Sequence, residues 1–165
     1  MEKFELIKSK IFTTETLKRQ LAIWRFLDKK IVFTNGCFDI IHLGHIYYLS
    51  KAADLGNILI IGLNSDNSIR KLKGKKRPVN DQDSRKMILA SLNFVDAVIL
   101  FKEQTPYKLI KLIQPDVLVK GGDYDTKNIV GYDIVFAKEG DVKTIEFLKG
   151  YSTSKIEEKI IKINK

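Results

Sequence analysis

A single cysteine in 165 residues, Cys37, excludes an internal disulfide and suits a reducing, cytoplasmic setting. Histidine is almost as scarce: only His42 and His45 are present, with no second cysteine to complete a zinc set around them. No apolar run approaches the roughly 20 residues that a membrane-spanning helix needs. The opening Met1-Glu2-Lys3-Phe4-Glu5 lacks the apolar core of a signal peptide. Repeats, low-complexity tracts and linkers are missing too, so one globular unit with no membrane partner is expected.

Lysine is what the chain has in excess. The net charge is +9, spread along the whole sequence, and only Arg70-Lys71-Leu72-Lys73-Gly74-Lys75-Lys76-Arg77 is dense. A nucleic-acid reader would interleave such a run with stacking aromatics, and this one holds none. The charge therefore reads as solubility or attraction of small phosphates, without a nucleic-acid partner.

Apolar runs alternate with helical patterns. Lys30–Phe33, Asn57–Leu63, Asp96–Phe101, Val117–Val119 and Val142–Phe147 read as five buried strands. Helices are expected over Ile46–Leu55 and from an Asn80 cap to Leu92. A further one starts at Thr105-Pro106, and the last runs over Ser154–Ile161 with Ser154 and Glu157 spaced as a capping box. Residues 70–77 read as a basic loop. Residues 1–29 read as an N-terminal helical extension built on Thr14–Asp28, whose Leu21, Ile23, Trp24 and Leu27 suit either a dimer surface or a flank of the core. The pattern is an α/β fold, a Rossmann-like three-layer sandwich with a five-stranded parallel sheet and helices on both faces, over residues 30–165.

Ligands in such sheets bind beyond the carboxyl ends of the strands. Four loops fall there: Thr34–His45, Asn64–Lys76, Lys120–Asp125 and Ser152–Ser154. The first is the most informative. It places two histidines around Gly44 where a strand passes into a helix N-terminus, a place of unpaired N–H groups and positive dipole that favours anions. Gly36 and Gly44 would let backbone approach a phosphate. The alternatives are a metal pair, which lacks the glutamate of a helical metalloprotease motif, and a purely structural role. Phe38 reads as core packing and Cys37 as a small apolar filler.

Asn35-Gly36-Cys37-Phe38-Asp39 followed by His42-Leu43-Gly44-His45 resembles the signature of the cytidylyltransferase-like nucleotidyltransferases. Further elements extend the likeness from about Lys30 to Ile161. Asn64-Ser65-Asp66, Leu72-Lys73-Gly74, Arg77-Pro78-Val79-Asn80, Arg85, Val119-Lys120-Gly121-Gly122-Asp123-Tyr124 and Ser152-Thr153-Ser154 are similar to the adenylyltransferases that make ADP-heptose. Leu148-Lys149-Gly150-Tyr151 lacks the arginine that glycerol-3-phosphate cytidylyltransferases carry there, which weakens the cytidylyl alternative. The resemblance also implies a stand-alone form, with residues 1–29 in place of a linker to a sugar kinase domain.

The resemblance implies transfer of AMP from ATP, with Mg2+, to D-glycero-β-D-manno-heptose 1-phosphate, giving ADP-heptose and pyrophosphate by in-line attack. The rival is a cytidylyltransferase for glycerol 3-phosphate or another alcohol phosphate. His42 and His45 are then expected on the nucleotide phosphates, protonated by the anions nearby. Lys73 and Arg85, and more weakly Arg77, are expected to neutralise phosphate; a solvated basic face is their alternative. Thr34, Asn35, Gly36, Phe38, Asp39 and Gly44 belong to the nucleotide-binding loop. Asp39 either orients a loop amide or His42, or helps hold magnesium, and the first is favoured. Lys120 follows a buried strand, and Gly121 and Gly122 leave room for adenine or ribose. Asp123 and Tyr124 touch sugar or base, or stabilise the loop. Ser152, Thr153 and Ser154 either meet the outer phosphates or merely cap a helix. Metal ligands cannot be named from the sequence, and a homo-oligomer, a dimer, is expected.

Overall fold

Strand and helix segments alternate in space as they do along the chain. The computed structural model describes residues 2–163. It begins α1 (Lys3–Lys8), β1 (Ile11–Phe12), α2 (Thr14–Phe26), β2 (Ile31–Gly36), α3 (Leu43–Ala53), β3 (Ile58–Asn64) and α4 (Asp66–Lys73). It continues α5 (Gln82–Ala90), β4 (Ala97–Phe101), α6 (Tyr107–Ile113), β5 (Val117–Gly121), a 3-10 turn (Thr126–Asn128), α7 (Tyr132–Ala137), β6 (Asp141–Ile145) and α8 (Thr153–Ile163).

The sheet is parallel throughout, in the order β1-β4-β3-β2-β5-β6. It has six strands where five were expected. The addition is β1, whose Ile11 and Phe12 pair with Val98 and Ile99. Two residues are too few to display a strand period. All of β3 is buried, as a central parallel strand covered by helices on both faces must be.

Two apolar layers flank the sheet. One packs Phe33, Ile60, Ile99 and Leu118 against Leu17 and Leu21 of α2, Ile110 and Ile113 of α6 and Val135 of α7. The other packs Val32, Leu59, Ile61, Val98 and Val119 against Tyr48 and Leu49 of α3 and Leu89 of α5. The N-terminal segment thus supplies an edge strand and part of the core. Of the apolar residues singled out in α2, Leu21 is buried, whereas Ile23 and Leu27 face solvent.

Several local expectations are corrected. Part of the basic stretch is helix α4 rather than loop: Ser65 caps it by accepting from the Ser68 amide (3.2 Å), Asp66 favours the dipole, and Ile69 anchors it in the core. Helix α5 is capped by Asp81, which accepts from the Ser84 amide at 2.7 Å, because the Asn80 side chain and amide are both spent on Asp39. The Ser154–Glu157 capping box does not form. Ser152 accepts from the Lys155 amide (3.2 Å), and Glu157 pairs instead with Arg77. Helix α7 was not anticipated.

The chain leaves β2 for β3 and β4 on one side and returns to β5 on the other. The crevice of such a sheet lies at this switch point, beyond Gly36 and Gly121. Because Leu21 is 2% exposed inside the core, Leu21→Ala is expected to cost about 2–5 kcal/mol. A urea midpoint unchanged from wild type would show instead that α2 is peripheral.

Candidate active site

Thr34 ends the buried part of β2, and its hydroxyl is committed. It shares a 2.6 Å hydrogen bond with the Tyr48 hydroxyl, which donates in turn to the Val119 carbonyl at 3.3 Å. Burial holds the Tyr48 phenol up at about 12. Thr34 therefore ties β2 to α3 and β5 from inside the core and does not line the crevice, contrary to its expected place in the binding loop.

The next residues turn outward. Phe38 adopts a φ of 45° and meets the His45 ring edge-on at 5.4 Å between centroids. His42 stands in the N-cap position of α3 with extended backbone, accepting from the amides of His45 (2.9 Å) and Ile46 (3.2 Å). One helical turn brings the two imidazoles into a stack, 3.9 Å between centroids and 26° apart in plane. Gly44 leaves room for this stack, since a Cβ there would sit 3.0 Å from His42 Nδ1, and its backbone lines the neighbouring cavity.

Both Nδ1 atoms are buried without a hydrogen-bond partner. Burial lowers both imidazoles, and His45 falls to about 4 because His42 and the Lys73 ammonium add to its desolvation. Burial thus favours the neutral form of both rings near pH 7.

Two of the expected phosphate-neutralising arginines have other work. Arg85 has no exposed surface. Its guanidinium donates to the carbonyls of Asn80 (3.0 Å), Cys37 (2.7 Å) and Asn64 (2.9 Å) and to the Asp66 carboxylate (2.7 Å). Arg77 pairs with Asp39 at 3.1 Å and with Glu157 of α8. Asp39 also accepts from the amides of Val79 and Asn80, both at 2.9 Å. It orients loop amides from the edge of the cavity that Lys73 and Lys120 line. Among the described residues no group of three histidines, cysteines or carboxylates could hold a metal ion.

Lys73 and Lys120 remain. They line one cavity of about 230 Å³ with Asn35, Gly36, His45 and Thr153. No ion pair or hydrogen bond engages either ammonium among the described residues. Burial pushes the Lys120 amine below its ordinary value, a cost that an anion would offset. The neighbouring cavity, about 480 Å³, runs between His42, Gly44 and His45 on one side and Phe147, Tyr151, Ser152 and Thr153 on the other. Ser152 and Thr153 open α8 over it, and Ser154 faces solvent.

Gly121 leaves room, though not for an open nucleoside slot: a Cβ there would lie 2.6 Å from the Phe147 ring, which occupies that space. Gly122 follows with φ of +111°, beside the Tyr124 ring. Asp123 is exposed and lines neither cavity. Sequence reasoning missed Tyr48, Phe147 and Tyr151 as walls. Tyr48 could have been found, since it lies one helical turn beyond His45 on the same face.

A parallel sheet with paired histidines and unpaired lysines at its switch point defines an α/β nucleotide-binding class of site. Comparison with known proteins makes it specific. The cytidylyltransferase-like family model matches residues 33–159, and the chain belongs to that nucleotidyltransferase family. It is 52% identical over 153 residues to the bifunctional protein HldE of Wolinella succinogenes, covering 93% of this chain and 31% of that protein. It is 54% identical over 156 residues to that of Helicobacter hepaticus, covering 94% and 31%. The chain thus spans under a third of the length of these relatives. The crystal structure of the lipopolysaccharide core biosynthesis protein from Thermoplasma volcanium matches with a TM-score of 0.60 and 30% identity, over 75% of this chain and 99% of that one. A pantoate-beta-alanine ligase from Francisella tularensis shares the fold at 16% identity and a TM-score of 0.59. No helix among the described residues is long and apolar enough to cross a membrane.

Because the fold depresses His45 from 6.5 to about 4, the unfolded chain takes up protons first as pH falls. The histidine contribution to stability is complete above pH 6.5 and is lost progressively as pH falls toward 4. Urea midpoints taken across this range are expected to fall less steeply in His45→Gln than in wild type. Parallel curves would show that His45 is not buried in its neutral form.

Proposed function

We propose that the chain transfers AMP from ATP to D-glycero-β-D-manno-heptose 1-phosphate. One observation carries the reading: of two stacked imidazoles at a helix N-terminus, His45 shares a cavity with the unpaired ammonium groups of Lys73 and Lys120, and both rings line the cavity beside it. The choice of sugar is supported by the name and identity of the bifunctional relatives.

An oxygen of the sugar phosphate attacks the α-phosphorus of ATP in line. The bond from that phosphorus to the bridging oxygen of the β-phosphate breaks, and pyrophosphate leaves with the electron pair. The nucleophile is already an anion, so no general base is required and no covalent enzyme intermediate forms. What must be overcome is repulsion between anions, which positioned donors relieve. His42 and His45 donate to phosphate oxygens, and the amides and hydroxyls of Ser152 and Thr153 at the start of α8 receive the outer phosphates. Lys73 and Lys120 supply positive charge on either side of the reacting centre. Arg85, Asp39 and Arg77 act as positioning residues through the loops they hold. Magnesium, if bound, would be held mainly by the phosphates and would supply further charge neutralisation there, since no group of three His, Cys, Asp or Glu among the described residues could hold it. The reading includes a cytoplasmic setting and a homodimer, the latter open to sedimentation analysis.

Pyrophosphate release is expected with ATP and the heptose 1-phosphate, and not with CTP and glycerol 3-phosphate. His42→Ala and His45→Ala are each expected to lower kcat by about 10²–10³, the effect of removing one transition-state donor. CTP-dependent turnover would replace this assignment with the cytidylyl one, and histidine variants at wild-type rate would remove the imidazoles from the mechanism.

A further inference from the structure

Lys120 borders two cavities. Beyond the one it shares with Lys73 and His45 lies a smaller chamber of about 180 Å³, which Asn35, Lys120 and Tyr124 border as well. Its far wall is Asn128, Ile129 and Val130, with Pro106 beside them. Pockets for nucleotide-sized or drug-sized ligands run from about 300 Å³ upward, so this chamber suits something smaller.

The far wall comes from the segment between β5 and α7. Asp125 caps its 3-10 turn, accepting from the Lys127 amide (3.1 Å) and the Asn128 side chain (3.4 Å). Buried Ile129 and close packing of Gly131 on Ile110 fix its far end. Tyr124 and Asn128 are left exposed on a segment anchored at both ends. A carboxamide offers both a donor and an acceptor, and a phenol offers a ring face with a polar tip. Together with an apolar backing, those groups match a sugar, which has paired hydroxyls and a C–H face.

We propose that this chamber receives the sugar of the acceptor, with Lys120 holding its phosphate at the mouth and Asn128 and Tyr124 reading its hydroxyls. The inference rests on the transferase reading above and adds the residues that select the acceptor. It places the sugar on the side of Lys120 away from the histidines, so that the acceptor phosphate lies between the sugar and the nucleotide.

The test compares wild type with Asn128→Ala, Tyr124→Ala and Lys120→Ala in a pyrophosphate-release assay with ATP and heptose 1-phosphate. Asn128 and Tyr124 are exposed, and unchanged thermal melting checks that the variants fold. Asn128→Ala and Tyr124→Ala are each expected to raise KM for the sugar phosphate about tenfold, the worth of one hydrogen bond, and to leave KM for ATP in place. Inorganic phosphate, competing with the sugar phosphate, is expected to keep its inhibition constant in Asn128→Ala and to lose inhibition in Lys120→Ala. A raised KM for ATP with the sugar phosphate unaffected would overturn the inference, as would no change at all. If wild type releases no pyrophosphate, the transferase reading fails separately. Calorimetric titration of wild type then decides the chamber: heptose 1-phosphate binding no tighter than inorganic phosphate would remove it.

Discussion

The crevice depends on a guanidinium that never meets water. Arg85 collects the carbonyls that end β3 and open the loop after β2, together with the Asn80 carbonyl and the Asp66 carboxylate. Those carbonyls lie where strands stop pairing and would otherwise be unpaired, at a cost of about 1–3 kcal/mol for each buried one. An arginine can serve all of them because its donors form a rigid planar fork; a lysine could not. Burying the charge is tolerable because Asp66 pairs with it and four hydrogen bonds engage all three of its nitrogens. The loop that carries the histidines is therefore fixed before any ligand arrives.

A second chain of charges extends this constraint to the far wall. Asp39 takes two loop amides and Arg77, and Arg77 reaches Glu157 on α8. Five charged side chains in the two networks, Arg85, Asp66, Arg77, Asp39 and Glu157, thus offset one another, and Lys73 and Lys120 take no part in either. Pairing separates the scaffold arginines from Lys73 and Lys120, and a place on the cavity wall separates these two lysines from Lys71, Lys75 and Lys76 of the basic stretch. Lys120, partly buried, acts on phosphate more strongly than the same charge would at the surface, and the exposed Lys73 adds to the potential at the cavity mouth.

The sheet was legible because its central strands are continuous apolar runs, and the histidine loop because its residues are so unusual at a strand–helix junction. What was illegible has physical causes. Strand β1 is held by the sheet edge, not by its own two residues, and α4 has a single buried apolar residue, Ile69, in a lysine-rich stretch. Arginine type alone could not separate Arg85 from a phosphate ligand, because burial is a tertiary property. The sequence does not show that the His42 ring packs over Gly44 and the Phe147 ring over Gly121, because both contacts are tertiary. Asn128 went unnoticed because nothing in Thr126-Lys127-Asn128 distinguishes a wall of a cavity from an ordinary turn.

The neutral histidines follow first from burial, to which His42 and Lys73 add at His45. Placing two imidazolium groups 3.9 Å apart beside Lys73 would concentrate like charge in a desolvated space, so the empty site sheds those protons. A neutral imidazole still donates one N–H, so the rings remain useful while the fold avoids the repulsion. An incoming triphosphate reverses the balance, because its charge favours the protonated form that the lysines oppose. Positive charge in the crevice then grows with the anion that needs it, and the uncomplexed protein does not have to carry that charge at the expense of its own stability.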